Sequence, residues 1–178
     1  MHFGPAWTHA SGSSAAISPG GTTGDAVFSG QGFSFGIALG GVIAPNLVLH
    51  GVFLFAATDN PDVTLAGTSV GQSRSSAAVY ALGGGATYYV EPFNLYLSGN
   101  LVTAFLELDA GDGAGHLVYE SNAGLGFEGM VGKEWWVSPD WGIGVAAEFI
   151  GASMKDKNDS DIRWTTTSFA LLFSSTYN

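Results

Sequence analysis

The chain has 178 residues, a formal net charge of −10 and only 11% charged residues, against about 25% in ordinary soluble domains. So few charges are too sparse to keep a soluble surface of this size wet, and their sign is wrong for a nucleic-acid footprint. There is no cysteine, which excludes disulfides and thiolate metal sites.

No window holds the ~18 uninterrupted apolar residues of a membrane helix, so a closed barrel is left as the way to satisfy every backbone group in lipid. The length suits one domain, 1–178. Alternation predicts eight strands, at roughly 2–16, 27–43, 47–58, 74–90, 95–108, 117–137, 142–155 and 162–175. Pro5 and a run of Gly, Ser and Ala interrupt the first. In the second, Phe33, Phe35, Ile37 and Leu39 alternate with Gly30, Gly32, Ser34, Gly36, Ala38 and Gly40, with no charge on either side. Alternate side chains of a strand point to opposite faces. The bulky set is therefore expected against lipid and the small set inside a tube. Such glycine-rich inner faces leave room for a narrowed wall, for water or for a small ligand.

The third strand is apolar on both faces, and the eighth fits either phase. In the fifth, Leu95, Leu97, Leu101 and Phe105 oppose Tyr96, Ser98, Asn100 and Val102. In the sixth, Leu117, Tyr119, Leu125, Phe127, Val131 and Trp135 oppose Glu120, Asn122, Glu128, Met130, Gly132 and Glu134. In the seventh, Trp141, Ile143, Val145, Ala147 and Phe149 oppose Gly142, Gly144, Ala146, Glu148 and Met154. The second, fourth and sixth exceed the 9–11 residues of a span and are expected to project beyond the membrane.

Three short connections pair Pro with Asn or Asp: Ala44-Pro45-Asn46, Glu91-Pro92-Phe93-Asn94 and Ser138-Pro139-Asp140-Trp141. They alternate with longer breaks at 18–26, 58–73, 109–116 and 156–161. Short periplasmic turns and long outer loops belong to transmembrane barrels. The expected fold is all-β, an eight-stranded antiparallel up-and-down transmembrane β-barrel. Its expected place is the bacterial outer membrane, with both termini periplasmic. The start, MHFGPAW, lacks a basic segment followed by an apolar one, so it reads as a mature form with Met1 left from expression. Phe93, Trp135, Trp136 and Trp141, with Tyr88, Tyr89 and Tyr177 nearby, form an expected interfacial girdle at the turn end. Lys133 can snorkel to headgroups from there.

The stretch from Gly124 to Lys155 (GLGFEGMVGKEWWVSPDWGIGVAAEFIGASMK) has glycine-spaced strands joined by a Trp-flanked turn. In this it resembles the small bacterial outer-membrane β-barrel families, the eight-stranded group built like the transmembrane part of OmpA. The likeness extends over nearly the whole chain as a pattern. Members typically end on an aromatic residue, whereas Tyr177 is followed by Asn178 here.

Three groups of residues are candidates for chemistry. Glu120, Glu128, Glu134 and Glu148 are expected inward, as a polar network with Tyr89, Tyr96, Asn100 and His50, and with Arg74 or Arg163 as bases near the loop end. That network plugs the lumen or, alternatively, serves proton coupling or ligand binding. Second, His116 lies near Asp109 and Asp112, and His9 near Ser11, Ser13 and Ser14. The resemblance implies comparison with lipid A deacylases, which use a His–Ser pair on the outer rim, and with palmitoyltransferases, which use His, Asp and Ser near the loops. Nucleophile, base and orienter must converge in space, so no catalytic residue is assigned. Third, Asp109, Asp112, Asp156, Asp159 and Asp161 in the loops are candidate ligands for divalent cations bridging to lipopolysaccharide phosphates. The run from Asp156 lacks the sixth-position Gly of a calcium loop and has Thr167 in place of its final Glu.

The expected role is structural or surface-interacting, without turnover or cofactor, for a monomer whose partners are outer-membrane lipids and lipopolysaccharide. The alternatives are a narrow channel or small hydrophobic-ligand carrier, a lipid A-modifying enzyme, and a soluble calycin-like barrel.

Overall fold

The alternation along the chain folds into strands at nearly the expected places. A computed structural model describes residues 1–16, 23–72, 74–111, 116–158 and 161–177. The strands are β1 (His2–Ala16), β2 (Thr23–Ala44), β3 (Leu47–Asp59), β4 (Asp62–Leu65), β5 (Thr68–Gln72), β6 (Arg74–Val90), β7 (Leu95–Gly111), β8 (His116–Glu120), β9 (Gly124–Trp136), β10 (Trp141–Lys155) and β11 (Arg163–Tyr177). Eight of them make a ring in the order β1-β11-β10-β9-β7-β6-β3-β2, and β2 pairs back onto β1. Every pairing in the ring is antiparallel. The ring has no free edge, which a strand structure in lipid requires.

Asn46 and Asn94 take the left-handed conformation, φ 64° and 53°, in the first two short turns, a conformation Asn tolerates well. In the third, the Ser138 hydroxyl accepts from the amides of Asp140 and Trp141 at 3.3 and 3.0 Å. The loop end departs from expectation in two places. The 58–73 break is not a plain loop: β4 and β5 form a hairpin there, with β4 carried on β2. The sixth predicted strand is two, β8 and β9, because residues 121–123 leave the ladder. The second strand also starts earlier than expected, at Thr23.

Hydrogen-bonded rows spiral down the wall. From Ser11 the row passes Thr165, Ser153, Leu125, Thr103, Leu82, Phe53 and Ile37. Ile37 sits one position past the His2–Gly36 pair, level with Met1, so one circuit shifts the register by ten residues. That stagger tilts the strands by about 35–45°.

Outward residues are apolar around the whole ring; Leu39, Leu101 and Leu125 are 79%, 69% and 73% exposed. A soluble barrel of the calycin kind would carry charge there, so this reading is excluded. Inward, β11 resolves its phase: Trp164, Thr166, Ser168, Ala170, Leu172 and Ser174 are buried. The loop-end half of the interior is an apolar core containing Phe28, Leu54, Val102, Leu106, Leu108, Ile150, Met154 and Trp164. The turn-end half packs Tyr96, Met130, Ala146 and Leu172 among polar groups.

Three of the inner glycines are seats for rings. Gly36, Gly132 and Gly12 are the register partners of His2, Tyr96 and Trp164. A Cβ on these glycines would meet those rings at 2.0, 2.3 and 2.7 Å. The expected spare space at these positions is therefore occupied by the neighbouring strand's large side chain. Gly41 faces outward, and a methyl group there would have nothing within 4 Å of it. Gly132→Val should therefore lower stability by about 1–3 kcal/mol through overpacking, while Gly41→Ala should stay within about 0.5 kcal/mol of wild type. Urea unfolding in phospholipid vesicles, followed by tryptophan fluorescence, reads both.

Candidate lumenal polar site and membrane girdles

Three glutamates lie inside the turn-end half of the barrel, placed by the alternation of β9 and β10. Glu128, Glu134 and Glu148 are 0%, 2% and 1% exposed. Asn100 of β7, the register partner of Glu128, donates its amide to the Glu128 carboxylate. Glu148 accepts from the Ser34 hydroxyl at 2.7 Å. Its other oxygen lies 3.2 Å from Nε2 of His2, an ion-pair contact when the imidazole is protonated. Glu134, nearer the turn end, accepts from the Thr176 hydroxyl. The Tyr96 hydroxyl points to the Met130 sulfur at 3.5 Å, and the Tyr89 ring packs 5.9 Å from that of Tyr96. Above this layer the Thr8 and Ser168 hydroxyls meet at 3.3 Å. These contacts join β1, β2, β6, β7, β9, β10 and β11 across the interior.

Of the residues expected in this network, Glu128, Glu134, Glu148, Tyr96 and Asn100 lie inside, and Tyr89 is half-buried beside them. Glu120 does not join them. The break at 121–123 turns Ser121 inward and leaves Glu120 exposed, opposite Glu107 on the outer wall. There it is paired with Lys157, whose pKa is raised by the adjacent carboxylate. An exposed pair of this kind contributes little to stability. Arg163 is also outside the lumen, donating to the Ser153 hydroxyl at 3.3 Å, and the Arg74 side chain lies outside the described part. His2 and Thr176 are lumenal partners that sequence reasoning missed, and Ser34, placed on the inner face, was not joined to the network. The signal was present in β1, where His2, Gly4, Ala6, Thr8 and Ala10 alternate with Phe3, Pro5, Trp7 and His9.

The loop acids behave differently from one another. Asp156 is buried, accepting from the Trp164 indole N–H at 3.2 Å and the Asn158 amide at 2.8 Å, so its carboxylate holds the loop rather than facing solvent. Asp161 is exposed. Asp112 and Asp159, and the side chains of Asp109, His116, Ser13 and Ser14, lie outside the described residues. Among the described residues no three His, Asp or Glu side chains converge as a metal site. His9 is exposed on the outer wall.

At the turn end, Phe93, Trp135, Trp136, Trp141 and Tyr177 are exposed, and Trp141 packs 5.1 Å from Tyr177. The Lys133 ammonium donates to the Phe93 carbonyl at 2.7 Å and sits 5.8 Å over the Trp135 ring. A second girdle was not foreseen. Towards the loop end each strand of the ring turns an aromatic outward: Trp7, Phe33, Phe55, Tyr80, Phe105, Phe127, Phe149 and Phe169. With the ten-residue stagger these fall within roughly 8 Å of one height. On β9, Phe127 and Trp135 are eight residues apart, about 20 Å along the axis for a tilted strand, close to the apolar band of a transmembrane barrel.

No family model matches the chain, and no curated protein matches it. Among solved structures it is similar to neisserial surface protein A (NspA), at 15% identity over 96% of this chain and 94% of that one, with a TM-score of 0.49. It is also similar to Ail, the attachment invasion locus protein of Yersinia pestis, at 10% identity over 98% and 97%, TM-score 0.44. The outer membrane protease OmpT from Escherichia coli matches at 11% over 99% and 94%, TM-score 0.44. Likeness at this level says nothing of activity, and the fold rests on the strand ring itself.

Removing the amide that faces Glu128 leaves a buried carboxylate without that donor. Asn100→Leu is expected to destabilise by about 3–5 kcal/mol, and Asn100→Leu with Glu128→Met to regain most of that loss. A double-mutant cycle of unfolding midpoints in vesicles, with Glu128→Met as the second single variant, checks it; a double-variant loss equal to the sum of the two single losses would show that the two do not act as a pair.

Proposed function

We propose that the chain is an integral outer-membrane barrel whose role is structural or surface-interacting, exercised at its loop end without turnover. The observation that carries this reading is the filled interior. The apolar core around Phe28, Leu106 and Trp164 closes the loop-end half, and the Glu128, Glu148 and His2 contacts cross the half below it. An eight-stranded barrel has an interior just wide enough for side chains to fill, and such filling disfavours a channel or an internal carrier. The loop end extends beyond the aromatic girdle through β4, β5 and β8, which offers a surface to partners outside the cell. The termini lie at the opposite end with the short turns, where the Met1 ammonium donates to the Ser175 carbonyl at 2.7 Å. We assign that end to the periplasm because short turns are periplasmic in such barrels.

Reconstituted in planar bilayers, the wild-type protein is expected to give no conductance steps, and Glu128→Gln with Glu148→Gln to remain silent. Regular open-state steps in the wild type would instead favour the narrow channel. The orientation has its own check. An epitope tag after Asn178 should resist protease on intact cells, whereas a tag inserted between Ala66 and Gly67 should be cut.

A further inference from the structure

The outer wall carries a groove that the lumenal reading does not use. It has a volume of about 690 Å³ and crosses β10, β11, β1 and β2. Its floor is aromatic: Phe149, Phe169 and Trp7 are successive register partners and belong to the loop-end girdle. One step towards the loops the same strands carry Gly151, Thr167 and His9, with Gln31 and Ser29 following on β2. Gly151 has no side chain to fill the step above Phe149. On the loop side the groove is bounded by Asp59 and Asp62, which flank the Asn60-Pro61 turn between β3 and β4.

The groove is continuous with the lipid-facing belt and straddles the height at which that belt turns polar. An acyl chain lying on Phe149 and Phe169 would bring its headgroup against Thr167, His9 and Gln31. These groups are hydroxyl, imidazole and amide, which both donate and accept hydrogen bonds. The two aspartates beside them present acceptors and repel phosphate. Trp7 adds a broad apolar face with a polar edge. That chemistry suits an uncharged, hydroxyl-rich headgroup and disfavours an anionic one.

We infer that this groove is a specific seat for one outer-leaflet lipid with a sugar headgroup, its chains on the aromatic floor and its hydroxyls on Thr167, His9 and Gln31. The inference rests on the barrel spanning a bilayer. Both can be read in phosphatidylcholine nanodiscs doped with a glucosyl diacylglycerol brominated near the glycerol end of its chains. Tryptophan quenching is compared with that from brominated phosphatidylcholine at the same mole fraction. The expected result is excess quenching by the glycolipid that disappears in Trp7→Phe and in His9→Leu with Gln31→Leu. It should persist in Ala78→Leu, on the far wall, and survive added free glucose. Equal quenching by the two lipids, or an excess untouched by the His9 and Gln31 changes, overturns the seat. Loss of the excess on adding glucose overturns the lipid as its occupant. If brominated phosphatidylcholine quenches no tryptophan at all, the bilayer-spanning reading itself fails.

Discussion

Everything in this barrel follows from a ring of eight strands whose interior must be filled from its own wall. Eight strands staggered by ten residues leave too little space for a water-filled pore and too much for backbone alone. The chain meets this by pairing absence with bulk across the ladders. At three inner glycines the partner strand lays down a ring, His2 over Gly36, Tyr96 over Gly132 and Trp164 over Gly12. Each seat is determined by register, so a slip of one residue would turn the ring outward. The glycines therefore specify alignment as much as they create room.

Two chemically distinct layers result. Near the loops the filling is mostly hydrocarbon, and the indole N–H of Trp164 within it is met by the Asp156 carboxylate. Towards the turns it is ionisable, and each carboxylate is met by a group from another strand: Asn100, Ser34 with His2, and Thr176. A buried carboxylate is costly unless it is hydrogen-bonded, and two of the three glutamates, Glu134 and Glu148, are met from strands with which theirs shares no backbone ladder. Ser34 and Glu148, on β2 and β10, are such a pair. The outer wall inverts the usual arrangement of a soluble protein, because its solvent is lipid.

Much of this was legible in the residues. Period-two alternation and Pro–Asn or Pro–Asp turns located the ring strands and assigned Glu128, Glu148 and Asn100 to the inner face. Three features escaped for physical reasons. Alternation carries phase only while a strand is unbroken, so the departure at 121–123 reversed the side on which Glu120 stands. The β4–β5 hairpin turns at Ala66-Gly67, both at positive φ, between segments too short and polar to stand out. The loop-end girdle takes an aromatic from each strand, and whether eight such residues share a height depends on stagger, a property of pairing rather than of any one strand. His2 was overlooked because Pro5 interrupts the strand that carries it.

The ring is closed by β1 and β11, whose paired residues are separated by nearly the whole chain, as in Phe3 with Phe173. Until that seam zips, the sheet has two raw borders, each a row of amides and carbonyls with nowhere to bond in hydrocarbon. A half-entered intermediate in bare lipid would thus carry its penalty along its full length. Insertion has to be concerted, or guided by something that caps both borders until they find each other. The price of a wall without ends is that the last strand laid down must recognise the first.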